Sequence, residues 1–169
     1  TGNEIVMPGE KLNEGQIYDS NSFAISAAIN SSGAECKMHK ILSDKKEDVD
    51  KLYENCSQSD LIVTIGGVSK GDFDLIRDAI SSKGDIDFWG INMKPGKPLA
   101  FGKVVLNNKE VFHIGLPGNP VSSYVCFELF IRPILLKMQG MKNIHRKKIR
   151  AKISSDIYNN DGRRSYSRV

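Results

Sequence analysis

Between Thr64 and Asp74 the sequence reads TIGGVSKGDFD, which leaves an apolar run through two glycines and then sets out a hydroxyl, a lysine and two acids. Gly66, Gly67, Val68, Ser69 and Gly71 can bring backbone N–H groups close to an anion, because a glycine has no side chain to hold the anion off. The other reading is a tight turn. A second stretch, LPGNPVSS, offers Pro117, Gly118, Asn119 and Ser122 at the start of a helical pattern, where N–H groups and the helix dipole favour negative charge. In MKPGKP, Lys94 and Lys97 sit among prolines that stiffen the chain. That suits either two cations held around an anion or an exposed, solubilising turn.

The carboxylates require a different partner. Asp44 follows a strand-like run and Asp74 follows the glycines, so these two acids would repel a nucleotide bound beside them. A divalent cation between them removes that repulsion, and magnesium is commonly held by one or two carboxylates together with substrate phosphates. Glu4 stands beside a glycine in TGNE, and YDSN supplies Asp19, Ser20 and Asn21 either to orient a ligand or to cap a helix. The phosphate loop Gly-x-x-x-x-Gly-Lys-Ser/Thr and the dinucleotide fingerprint Gly-x-Gly-x-x-Gly are both absent. His39, His113 and His145 fall in strand patterns or a basic tail, as core or surface residues.

These residues need a scaffold that gathers loops. NSFAISAAINSSG reads as a helix with Phe23, Ala24, Ala27 and Ala28 on one face, AECKMHKIL as a strand, and KEDVDKLYENC as a helix with Val49, Leu52 and Tyr53 inward. DLIVTI is a strand covered on both faces. FDLIRDAISSKG is a helix ending at Gly84, and DIDFWGINM is a strand. PLAFGKVVL and EVFHIGL form a hairpin around Asn107 and Asn108. The longest helical pattern follows Asn119, its cap, with Pro120 in the first position. Strands alternating with helices predict an α/β fold, a three-layer α/β/α arrangement with a mostly parallel sheet. In such sheets ligands sit at the carboxyl ends of strands, so the four loops should meet on one edge.

A chain of 169 residues that is 40% hydrophobic and 26% charged is an ordinary globular protein. The division expected is an α/β domain over residues 1–140, then a linker and the first strands of a β-rich module over 141–169, in IRAKISSDIY and GRRSYSRV. Opening on TGNEIV, without a methionine, the sequence reads as an excerpt of a longer protein. Cys36, Cys56 and Cys126 are widely spaced and suit a reducing, cytoplasmic setting. No run approaches a membrane span. The basic excess near the end, Lys137, Lys142, Arg146, Lys147, Lys148, Arg150 and Lys152, reads as a solvated face and not as a nucleic-acid stripe.

Four motifs in one order, TGNEIVMPGEKLNEGQIYDSNSFAISAAI, GGVSKGDFD, MKPGKPLAFG and GLPGNPVSSYVCFELFIRPIL, closely resemble the molybdopterin molybdenumtransferase family, MoeA and the gephyrin E domain. The resemblance runs over essentially the whole chain and covers that family's third domain and the start of its fourth. It implies molybdenum cofactor synthesis: adenylylated molybdopterin is bound, molybdate is inserted at the dithiolene, and AMP is released with Mg2+ present. It further implies that Glu4, Asp44, Asp74 and Lys94 serve catalysis, with Asp44 and Asp74 holding the metal. Asp19, Ser20, Asn21, Gly66, Gly67, Val68, Ser69, Gly71, Asp72, Lys97, Pro117, Gly118, Asn119 and Ser122 are then the ligand-binding set. Gly90 departs from family members that carry a lysine there. A homodimer of the full-length protein and a molybdopterin adenylyltransferase as upstream partner are also implied. Two other functions compete: a stand-alone adenylyltransferase acting on the pterin, and an interaction scaffold of the gephyrin kind.

Overall fold

A computed structural model describes residues 1–42, 46–68 and 75–167. Two short strands, β1 (Ile5–Val6) and β2 (Ile17–Tyr18), pair in parallel ahead of helix α1 (Asn21–Ser31). Helix α2 (Lys46–Asn55), strand β3 (Leu61–Ile65), helix α3 (Leu75–Lys83) and strand β4 (Gly84–Trp89) follow. After the short β5 (Met93–Lys94), β6 (Ala100–Leu106) and β7 (Lys109–Leu116) form a hairpin. Its turn residues Asn107 and Asn108 both have positive φ, 49° and 63°. Asparagine tolerates that conformation, and a two-residue turn of this hand matches the twist of the strands it joins.

The central sheet has the order β3-β7-β6-β4. β3 runs parallel to β7, while β6 is antiparallel to both of its neighbours. The pairs β1–β2 and β5–β8, where β8 is Arg164–Ser165, are parallel, so three of the five pairings among the described residues are parallel. Helices cover both faces, and the expected three-layer α/β fold is what forms.

Alternation along the strands sends neighbouring side chains to opposite layers. Ile62, Val104 and Val111 join Leu52, Tyr53, Ile76 and Ile80 beneath α2 and α3. Ile114 and Leu116 join Ile25, Ile29, Phe127 and Ile131 on the other side. On α1 the buried stripe is Ile25, Ala28 and Ile29, whereas Phe23, Ala24 and Ala27 face outward. The expected inward face was therefore rotated by about one residue, toward the bulkier isoleucines that fill the layer better.

The long C-terminal helix has three parts: α4 (Pro120–Cys126), a wide π turn (Phe127–Ile131) and α5 (Arg132–Met138). Pro133 has no N–H to donate to the carbonyl four residues back, and the helix takes up a five-residue turn just before it. Residues 34–42, expected as a strand, have no ladder; backbone bonds hold them at their ends, Ala34 N–H to the Ile29 carbonyl at 3.4 Å and Gly2 N–H to the Leu42 carbonyl at 3.2 Å. IRAKISSDIY likewise carries no strand, and β8 is the one ladder in the last thirty described residues.

Candidate functional site

The parallel strands β3 and β7 end side by side, and the loops leaving them are joined: Gly66 N–H donates to the Leu116 carbonyl at 2.9 Å. Gly66 and Gly67 turn away from the sheet with φ of 85° and 68°. A β-carbon on Gly66 would lie 2.9 Å from the Thr1 carbonyl oxygen, so both conformation and space demand glycine there. The Thr1 nitrogen donates to the Ile65 carbonyl at 2.6 Å, which brings the first residues to the same edge. Across from them, Asn21 Nδ2 donates to the Gly118 carbonyl at 2.7 Å and fastens the start of α1 to the loop after β7.

The joined loops open on a cavity of about 1430 Å3 that continues along the outer edge of β3, beside residues 34–42. Glu4, Asp19, Asn21, Gly66, Gly67 and Val68 line it, as do Pro117, Gly118, Asn119 and Ser122. Glu4 rests its carboxylate against Gly2. Asp19 is 8% exposed; its Oδ1 accepts the Ser22 N–H at 3.0 Å, and its own N–H donates to the Val6 carbonyl at 2.8 Å. Asp19 thus caps α1, a role left open among three residues by the sequence, while the Ser20 side chain makes no capping bond. Val68 puts its side chain into the α2/α3 core, 2% exposed, so it can serve a ligand only through its backbone.

Asn119 caps α4 as expected, its Oδ1 accepting the Ser122 N–H at 3.1 Å. One consequence limits the anion cradle. With the Ser122 N–H and hydroxyl both directed at Asn119 Oδ1, at 3.1 and 3.4 Å, and Pro120 lacking an N–H, the helix start presents the Val121 N–H. Lys94 and Lys97 do not line the cavity. Lys94 lies on β5 with its Nζ 3.4 Å from Asp161, and the Lys97 carbonyl accepts the Ile91 N–H at 2.9 Å. At Gly90 a β-carbon would meet the Lys97 carbonyl oxygen at an ordinary 3.5 Å, and it is the φ of 83° that disfavours a side chain there.

Asp44, Ser69, Gly71, Asp72 and Asp74 lie outside the described residues. Among the described residues there is no group of three or more His, Cys, Asp or Glu that could hold a metal ion, and the cavity edge offers Glu4 and Asp19 alone at its loop end. This donor set does not by itself fit magnesium, which takes about six oxygen ligands.

Sequence reading missed a polar chain beneath the site. His113 Nε2 shares a hydrogen bond with the Thr64 hydroxyl at 3.0 Å, and its Nδ1 one with the Tyr53 hydroxyl at 2.9 Å, all buried. Burial drives the His113 pKa down to about 3, so the ring is neutral, and burial raises that of Tyr53. The chain links α2 to the last turn of β3 before Gly66. The available signal was parity: Thr64 and His113 point to the same face of neighbouring strands.

A mixed α/β domain whose parallel strand ends carry glycine turns and a helix start belongs to the class of open-sheet folds that receive ligands at those ends. Residues 1–137 match the family described as probable molybdopterin binding domain, and the chain belongs to that family. It is similar to a molybdopterin molybdenumtransferase of Haemophilus influenzae, 39% identical over 143 residues, covering 84% of this chain and 34% of the relative. Molybdopterin molybdenumtransferase 2 of Mycobacterium tuberculosis is 34% identical over the whole chain and 42% of its own length. A crystal structure of the molybdopterin biosynthesis MoeA protein from Pyrococcus horikosii superposes with a TM-score of 0.71 at 38% identity, over 84% of this chain and 34% of that one. The chain spans about a third to two fifths of the length of these relatives.

Proposed function

We propose that the chain is the molybdopterin-binding part of a molybdopterin molybdenumtransferase, an enzyme of molybdenum cofactor biosynthesis. Adenylylated molybdopterin is its substrate, molybdate its cargo, and AMP the product released. The observation that carries this reading is the meeting of two loops and a helix start, at Gly66, Gly118 and Asn21, on one cavity at the ends of β3 and β7. Backbone donors of the glycine turn and of the α4 start face an anionic pterin phosphate or nucleotide there, while Asn21 ties the start of α1 to the loop after β7.

Glu4 and Lys94 are the catalytic residues proposed within the described chain. Asp44 and Asp74 are proposed as ligands of Mg2+, which would neutralise charge on the phosphoanhydride. Residues 141–169 are proposed as a linker and the beginning of a second module. The full-length protein is proposed to be a cytoplasmic homodimer that receives its substrate from a molybdopterin adenylyltransferase.

The test is AMP release by the full-length protein supplied with adenylylated molybdopterin, with and without molybdate. Release that requires molybdate and Mg2+ is expected. Release indifferent to molybdate overturns the transferase reading. Asp74→Asn should abolish most turnover while leaving thermal stability unchanged or slightly raised, since it would neutralise one of the two carboxylates proposed to share the ion. Full turnover in that variant removes the metal role.

A further inference from the structure

The segment 161–166 grips Lys94 at both ends. The backbone carbonyl of Lys94 accepts the Tyr166 N–H at 2.8 Å, one rung of the β5–β8 ladder, and the Arg164 N–H donates to the Asn92 carbonyl at 3.2 Å. At the other end the Lys94 Nζ lies 3.4 Å from Asp161 Oδ2. Asp161 is itself anchored: Arg163 reaches Oδ2 through Nε at 3.1 Å and through Nη2, and its N–H donates to Oδ1 at 3.2 Å. Asn159 Nδ2 closes the turn on the Arg163 carbonyl at 2.7 Å. Hydrogen bonds from Arg163, with a smaller contribution from Lys94, keep the Asp161 carboxyl below its usual range.

A lone exposed lysine–aspartate pair contributes little, largely because two mobile side chains must be ordered to make it. Here the carboxylate is held before the lysine arrives, and the lysine backbone is fixed by a ladder, so much of that ordering is done by other bonds. The Lys94 side chain stays 61% exposed. An ammonium has three N–H donors, and one turned to Asp161 leaves two for an anion.

We propose that Asp161 is a positioning residue for Lys94: the turn at 161–163 fixes the direction of the ammonium, so a lysine outside the β3/β7 cavity takes its orientation from the C-terminal segment. This rests on the proposed catalytic role of Lys94. Asp161→Asn in the full-length protein tests it by two readouts. The first is the rate at which an amine-acetylating reagent modifies Lys94, followed by mass spectrometry with the exposed Lys137 as reference. Acetylation of Lys94 should rise about threefold in Asp161→Asn and return toward the original rate in Asp161→Glu, which keeps the charge. Unchanged labelling overturns the contact and the proposal with it.

The second readout is molybdate-dependent AMP release. The kcat should fall about five- to tenfold with little change in KM, because a misdirected group costs more in the transition state than in binding. In a Lys94→Ala background the Asp161→Asn change should have no further effect. A loss that persists there overturns positioning through Lys94. Should labelling respond while Lys94→Ala turns over normally, the catalytic role of Lys94 falls and the contact alone is upheld.

Discussion

His113 ties chemistry to stability at the scale of a single residue. It is fully buried between Tyr53 and Thr64, and its pKa falls from an ordinary 6.5 to about 3. The unfolded chain therefore takes up a proton on this ring below pH 6.5, and the folded chain does not until about pH 3. Stability contributed by the neutral ring is fully present above pH 6.5 and is lost as pH falls, by up to about 1.4 kcal/mol per pH unit. His39, also lowered by burial and by Lys37, acts in the same direction. Thermal melts between pH 7.5 and 5 should show a falling Tm that flattens in His113→Gln, before the carboxylates begin to titrate. A wild-type Tm that holds steady over that range would show His113 protonated in the fold or solvated.

Two short devices decide local geometry at the scale of elements. Asn119 closes the start of α4 through the Ser122 N–H, and it also shapes the loop that meets Gly66. Asn119→Ala should cost about 1 kcal/mol, and Asn119→Asp, another good cap, should restore most of it. Equal denaturation midpoints for the Ala and Asp variants would show the cap to be idle. In the hairpin, Asn108 holds φ of 63°. Asn108→Gly should stabilise by about 0.5 kcal/mol, since Asn-Gly is the preferred pair for this turn. Chemical denaturation measures both.

On the scale of the whole molecule, the 141–167 segment returns to the α/β domain twice. Arg146 forms a two-bond pair with Glu128 at 2.9 and 3.0 Å, and β8 pairs with β5. Arg132 Nη1 adds a bond to the Ile144 carbonyl at 3.4 Å. These returns leave Ile149, Ile153, Ile157 and Tyr158 exposed. The chain here, about a third to two fifths of its relatives in length, is expected to bind molybdopterin or its AMP adduct yet release AMP far more slowly than the full-length protein. Calorimetry on the 169-residue chain beside a turnover assay checks this, and full molybdate-dependent release by the short chain would contradict it.

Local chemistry made much of this protein legible from sequence alone. Caps and turns act over three or four residues, so Asn119 with Pro120, Gly33 after α1, and Asn107 with Asn108 marked their boundaries without tertiary help. Apolar β-branched runs marked β3 and β7, and the four motifs marked the family. The meeting of loops was decided elsewhere. Gly66 touches the loop after β7 because β3 lies beside β7, fifty residues away, and strand order follows from burying two faces at once. The same competition turned Phe23 outward in favour of Ile25 and Ile29, left 34–42 without a partner strand, and gave Asp19 the cap that Ser20 was equally able to supply. It also set Lys94 beside Asp161, across sixty-seven positions, where no local pattern points. Side-chain pairing at that separation depends on packing summed over the whole chain, and only the tertiary structure carries that sum.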